Sequence, residues 1–391
     1  MSTTGKPTTR RDLLYLLAQA SELEHSLACQ YLFTAFSLKE RQDEGITEDQ
    51  VEMIAGWRHQ IIQIAVQEML HLALASNLLT AIGGAPYFRR ANFPQGKTYT
   101  SLSLRFVLAP FNEETLKRYI CFELPQDFEP GPDEEIDWNE ACTEIREADF
   151  LLPQPLLPKK LDFHSIGELY RLISEGFDEI ETKLRTTGKT LFIGCREAQA
   201  TGLWDELRQV TDVASAQKAI ELIIEQGEGT PVDQADNHFR SFISTLEAYQ
   251  KELEKDAAFQ PARPVIENPL LDLQRDQPGA ISLGANVITD ELARDVVEIF
   301  AAVYEVMLQI LARYFAHTDE DEEQLYVLKS AFLNLMPYVL SPIGSAITQL
   351  PAGIDGMNAG PSFEVFSDVQ LLPQMTSAWI YFCLLYTSRC V

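Results

Sequence analysis

From Ile61 to Ile82 the chain is a run of mostly aliphatic residues whose only ionisable side chains are Glu68 and His71. Residues three apart lie on one face of a helix. The neighbours on that face are Ile61, Ile64, Ala65, Leu72, Ala75, Leu78 and Ile82, so the pair points where apolar side chains pack. A buried carboxylate without a partner is disfavoured by several kcal/mol, and the fold must bring a counter-charge to that face. A carboxylate and an imidazole at this spacing, aimed inward, are a pattern that holds metal ions in helical bundles. A pair on the wet side of an amphipathic helix would need no partner, but its neighbours would then be polar.

The counter-face is found upstream. Residues 10–42 read as a long helix, with Leu13, Leu17, Ala20, Leu27, Tyr31, Ala35 and Leu38 recurring near the 3.6-residue period. A charged turn around Gly45 separates it from a second long helix over 48–82, closed by Gly83-Gly84. Two long helices joined by a short turn form an antiparallel hairpin. At 100° per residue Glu24 falls in the apolar stripe of the first helix, Glu22 lies opposite, and His25 sits about a quarter-turn away. Glu22-x-x-His25 therefore mimics the motif, while Glu24 is the inward carboxylate. Glu24 and Glu68 stand at similar distances on either side of Gly45, so the hairpin brings them to one level. His25 and Tyr31 are expected behind the ligands, orienting them by hydrogen bonds, with ordinary core packing as the alternative for Tyr31.

Beyond the hairpin, residues 86–160 break the helical pattern. Tyr99 to Phe106 alternates like a short strand, Asn112 to Phe122 fits one short helix, and the acidic stretch Phe128 to Asp149 reads as a solvated loop. Helical periodicity returns over 162–186, 212–228 and 238–255. Gln260 to Asn286 is rich in Pro and Gly, the best candidate boundary. Two helices follow, Thr289 to Phe315, capped by Thr289 or Asp290, and Glu322 to Val339, ended near Pro337 and Pro342. A Gly/Pro loop over 350–362 and an aromatic helical stretch from Phe363 to Cys390 close the sequence. The expected organisation is a bundle over 1–258 with an insertion at about 86–160, a linker over 259–288, and a C-terminal helical region over 289–391. In the helices after the insertion, Glu168, Glu175 and Glu179 share a polar face, as do Glu221, Glu225 and Glu228. A helix break at Gln226-Gly-Glu-Gly229, with His238 opening the next helix, is a candidate edge of a metal site.

With 31 Lys and Arg against 58 Asp and Glu, the formal charge is −27. Such a surface repels phosphate backbones and anionic lipid, so neither nucleic acid nor a membrane is an expected partner. The six cysteines, Cys29, Cys121, Cys142, Cys195, Cys383 and Cys390, show no zinc-like spacing. Scattered cysteines suit a reducing cytosol. The arginines at 10 and 11 fit the start of a helix better than an export signal, and the apolar stretch from Thr376 to Ser388 is too short to span a bilayer. A cytoplasmic location is expected.

These motifs carry a resemblance. Glu24 and Tyr31 followed by Glu68-Met-Leu-His71 resemble the first half of ferritin-like and rubrerythrin-like bundles. More narrowly, Glu22-Leu-Glu-His25-Ser, Ala81-Ile-Gly-Gly84, Ile166-Gly-Glu-Leu-Tyr170, Gln226-Gly-Glu-Gly229, His238-Phe, Asn268-Pro269 and Ala359-Gly-Pro-Ser-Phe363-Glu364 resemble the ferritin-like domain of the iminophenylpyruvate dimer synthases of bisindole biosynthesis. The resemblance implies an all-α fold with minor β structure, a ferritin-like antiparallel four-helix bundle with a C-terminal helical extension. It implies metal ligands at Glu24, Glu68 and His71, and it suggests Glu168, Glu225 and either Glu228 or His238 for the other half; Glu175, on the polar face of the same helix as Glu168, is an alternative ligand. Glu225-x-x-Glu228 departs from the carboxylate-x-x-histidine pattern of ferritins, and His238 is the candidate replacement.

Carboxylates with one or two imidazoles suit iron or manganese. The expected function is a metal-dependent, di-iron oxidase or oxygenase acting with dioxygen on a small organic metabolite. The alternatives are an imine-dimerising synthase of bisindole type and a non-catalytic iron-binding protein. The 359–366 loop, with Glu364, is a candidate closure of the site, and a homodimer is a candidate assembly.

Overall fold

The computed structural model describes residues 6–95, 102, 104–130, 136–150, 163–228, 237–271, 284–366 and 374–388. Its framework is the expected hairpin. Helix α1 (Arg10–Ser37) begins at Thr9, whose hydroxyl accepts the Asp12 amide while Asp12 accepts the Thr9 amide. Helix α2 (Glu48–Ala81) begins with the same reciprocal cap between Thr47 and Gln50. A single 3-10 turn, Gln42–Glu44, ends at Gly45, whose φ of 82° lies in the left-handed region. Arg263 fixes this turn through Glu44 and the Phe36 carbonyl.

The other two positions of the bundle are each built from two shorter helices. On the α1 side, α3 (Glu113–Phe122) meets the C-terminal half of α1, where the Tyr119 and Thr34 hydroxyls are 2.7 Å apart. After α4 (Trp138–Phe150), helix α5 (Ile166–Arg185) continues along α1. On the α2 side, α6 (Val213–Gly227) packs on α5, and α7 (His238–Lys255) packs on α3. The apolar faces meet in one core containing Leu17, Tyr31, Ile64, Phe106, Tyr170, Phe177 and Phe242. Both composite positions are therefore interrupted near mid-bundle, where α3 and α6 end and α5 and α7 begin.

The insertion is more ordered than its acidity implies. Within 128–149, read above as a solvated loop, Trp138–Phe150 is a helix whose Trp138 and Cys142 are buried. Cys142 forms a disulfide with Cys121 of α3, a pairing that the scattered spacing of the six cysteines does not suggest. Half of the strand expected from Tyr99 to Phe106 falls on residues outside those described, and Phe106 forms an isolated bridge with Gln95.

Toward the C-terminus, β1 (Pro269–Leu270) pairs in parallel with β2 (Asn286–Val287), and β3 (Pro351–Ile354) forms a hairpin with β4 (Met357–Asn358). Helix α8 (Glu291–Phe315), capped by Asp290, lays Tyr304 against α1. Helix α9 (Glu322–Leu335) does not stop at its prolines. It widens into a π turn over Met336–Leu340 that contains Pro337, then continues as α10 (Ser341–Ile347) with Pro342 in its first turn. A proline lacks the amide that an α-helix interior needs, and it is at Pro337 that the helix departs from regular α geometry. Helix α11 (Met375–Ser388) comes last. Among the described residues two helical stretches are long and apolar enough to cross a membrane, α2, which forms the bundle core, and Glu322–Ile347.

Candidate metal centre

Five buried donors converge at the interruption. Helix α1 contributes Glu24 and α2 contributes Glu68 and His71. Glu123 is the residue that ends α3, and His238 is the first residue of α7. None is more than 3% exposed. They form two overlapping triads, Glu24/Glu68/His71 and Glu68/Glu123/His238, each with donor atoms within 4.8 Å of one another. Glu68 belongs to both. Its Oε2 lies 3.2 Å from His71 Nδ1 and its Oε1 lies 2.9 Å from His238 Nδ1. The terminal carboxylates stand off symmetrically, with His71 Nδ1 3.7 Å from Glu24 and His238 Nδ1 3.7 Å from Glu123.

A second ring of contacts repeats this symmetry. The Tyr170 hydroxyl donates to Glu24 at 2.6 Å, and the Tyr31 hydroxyl donates to Glu123 at 2.5 Å. His71 Nε2 meets Gln226 Oε1 at 2.9 Å, and His238 Nε2 meets Gln67 Oε1 at 3.0 Å. Each outer carboxylate thus receives a phenol, and each imidazole turns Nε2 outward and Nδ1 inward.

Three carboxylates in so small a buried volume repel one another. Burial, reinforced by the charge on Glu68, raises the Glu24 pKa to about 8. Burial also opposes charge on the rings, but carboxylates outweigh it: Glu68 and Glu123 raise His238 to about 9, and Glu24 and Glu68 hold His71 well above its ordinary value. Burial likewise opposes ionisation of Glu68, yet the two imidazoles hold its pKa below the usual carboxylate range. Protons here occupy the place of cations. Glu68 Oε1 and His238 Nδ1 face each other without hydrogen-bond alignment, although buried polar atoms are nearly always satisfied. This carboxylate-and-imidazole set forms two overlapping groups, each of which could hold a metal ion, and its donors are those that hard or borderline divalent cations take.

Of the residues singled out from sequence, the structure brings together Glu24, Glu68, His71 and His238. The other proposed ligands bond elsewhere. Glu168 accepts the His164 amide at the start of α5. Glu175 pairs with Lys6 on the outer face, and Glu225 is exposed. Glu228 is buried but bonds the Gly167 amide and Arg171, capping α5. His25 contacts Tyr304, 2.5 Å away, and not the carboxylates. Tyr31 does act from behind a carboxylate, but that of Glu123 rather than Glu24. Glu364 accepts the Leu271 amide.

Glu123 escapes the sequence reading. It carries the same signal as Glu68, a lone carboxylate in an apolar stretch, Tyr119-Ile-Cys-Phe-Glu-Leu124. The signal is hidden because residues 86–160 read as an insertion outside the bundle. Tyr170, Gln226 and Gln67 give no comparable signal, since tyrosine and glutamine on helices are ordinary.

Comparison with known proteins agrees with this architecture. A family model described as Ferritin-like matches residues 17–250. A dichlorochromopyrrolate synthase of Lentzea aerocolonigenes is 26% identical over 95% of this chain and 37% of its own length. A 2-imino-3-(indol-3-yl)propanoate dimerase of Chromobacterium violaceum is 28% identical over 88% of this chain and 33% of its own length. The chain thus spans about a third of the length of these two relatives. A solved ferritin-like protein from Caulobacter vibrioides is 18% identical with a TM-score of 0.44, covering 82% of this chain and 93% of that one.

Proposed function

The chain belongs to the ferritin-like family, and on that premise we propose that its five-donor cluster is a two-cation centre for redox chemistry on a small organic metabolite. The observation that carries this reading is Glu68, whose two oxygens face the two halves of the cluster. Iron or manganese bound there would supply single-electron steps and Lewis acidity. Glu24 with His71, and Glu123 with His238, would hold one cation each, and Glu68 would be shared. Tyr170 and Tyr31 hold the outer carboxylates in place by donating to them. The buried setting keeps bulk water from the donors, which strengthens every charge interaction there.

The name of the Chromobacterium violaceum relative supports a substrate class, an indolyl imino acid, and a transformation, its dimerisation. The donor set also favours a second reading, an oxidase or oxygenase that consumes dioxygen without joining two substrates.

The test is metal analysis of the purified protein and of Glu68→Ala, followed by incubation with 2-imino-3-(indol-3-yl)propanoate, with and without dioxygen. Two iron or manganese ions per chain, lost in Glu68→Ala, and a coupled product by mass spectrometry are expected. Absence of iron and manganese after Fe(II) and Mn(II) loading would defeat the reading. Dioxygen uptake without coupling would favour the oxygenase, and metal with neither reaction would leave an iron-binding protein.

A further inference from the structure

Gln67 and Gln226 hold the two imidazoles across the bundle rather than along their own helices. Gln67 immediately precedes Glu68 on α2, yet its amide oxygen reaches His238 on α7. Gln226 lies in the last turn of α6, and its amide oxygen reaches His71 on α2. An imidazole offers two nitrogens to a cation, and the partner of one decides which is offered. Both rings are at most 2% exposed, so bulk water does not supply that partner. Within the contacts of each ring, the carboxylates gather at Nδ1 and a neutral amide oxygen meets Nε2. An amide oxygen accepts a proton without adding a fourth negative charge to a cluster that already holds three carboxylates.

We propose that Gln67 and Gln226 are positioning residues that commit each imidazole to binding through Nδ1, and that they act crosswise. Gln67 serves the Glu123/His238 half although it is adjacent in sequence to the shared Glu68. Gln226 serves the Glu24/His71 half although it stands at the edge of the interrupted helix. The proposal rests on the two-cation reading above and adds a specific division of labour to it. Loss of either glutamine frees one ring to turn while leaving every donor residue present.

The experiment compares wild type with Gln67→Leu, Gln67→Glu, Gln226→Leu and Gln226→Glu. Fe(II) is titrated without dioxygen, and the Zn(II)-loaded proteins are examined by 15N NMR of labelled histidine, which reports which ring nitrogen carries the metal. Each Leu variant should weaken one of the two cations by about 10- to 100-fold and leave the other within a few-fold. The 15N signature should change at His238 in Gln67→Leu and at His71 in Gln226→Leu. Each Glu variant, which keeps an acceptor at Nε2, should retain the wild-type metallated nitrogen and so controls for folding. Equal weakening of both cations in the Leu variants, or unchanged Nδ1 metallation with unchanged affinity, would overturn the crosswise role. Uptake of neither Fe(II) nor Zn(II) by wild type would instead defeat the two-cation reading itself.

Discussion

Raising the pH should tighten cation binding steeply while weakening the cation-free fold. Glu24, with its pKa near 8, and His238, near 9, carry protons at pH 7, and the pKa of His71 is raised in the same direction. Cations can use these groups only after the protons leave. Filling both positions should therefore release up to about three protons, and the overall binding constant should rise by up to ~10³ per pH unit below pH 8, about 30-fold for each cation. For the cation-free protein the sign is opposite. A raised pKa means the folded state holds protons that the unfolded chain has already lost. The stability from Glu24 is complete below about 4.5 and is lost as pH rises through 8, that from His238 is complete below about 6.5 and is lost through 9, and His71 adds to the same trend. Glu68, with a lowered pKa, contributes above its ordinary value and is lost on acidification. The cation-free protein should thus be most stable near pH 4.5 to 5, falling by several kcal/mol toward pH 9, since a tenfold change in proton affinity on folding is worth about 1.4 kcal/mol. Calorimetric titration with Fe(II) in two buffers of different protonation enthalpy, at pH 6, 7 and 8, counts the protons. Thermal melts in a chelator follow the fold. Release of fewer than one proton at pH 7, or a cation-free melting temperature that climbs from pH 6 to 9, would refute the electrostatic argument.

Three other substitutions probe the architecture. Glu123→Ala should leave the Glu24/His71 half able to bind while removing the second cation, so metal analysis should fall from two ions to one. Gly167→Ala would set a methyl group 2.1 Å from Glu228 Oε1, and urea denaturation should register a loss of about 1–3 kcal/mol for this overpacking. Replacing Cys121 and Cys142 together by Ser opens a link between residues 21 apart and should lower stability by roughly 3 kcal/mol, with wild type shifted by the same amount on adding a reductant.

The hairpin half of the centre is legible in the sequence because periodicity, turn and level are all local properties. Glu24 can be separated from Glu22 and His25 by angle alone, and Glu68 with His71 stands out against an aliphatic run. The other half is not legible because its helices are short and interrupted. Glu123 follows the last turn of α3, so no helical stripe assigns it a face, and its partner His238 lies 115 residues later. Glu168 and Glu228 are ligands only by what the resemblance to ferritin-like bundles implies. In this fold Glu168 stays at the start of α5, where it accepts a backbone amide, and Glu228 caps that helix. The acidic stretch after Phe128 misleads for a related reason. Its acidity suggests solvent on every side, whereas Trp138 and Cys142 of α4 face inward.

The interrupted helices also divide the centre mechanically. Glu24, Glu68 and His71 sit deep within uninterrupted helices of 28 and 34 residues, where a shift of one donor must drag several turns with it. Glu123 and His238 sit at helix ends, so a cation of different radius has to be accommodated from their side. On the two-cation proposal, the centre would be an anvil facing a more yielding jaw. Hydrogen exchange should locate that jaw: on cation loading, amides around Glu123 and in the first turn of α7 should slow markedly, while those beside Glu24 and Glu68 stay as slow as before.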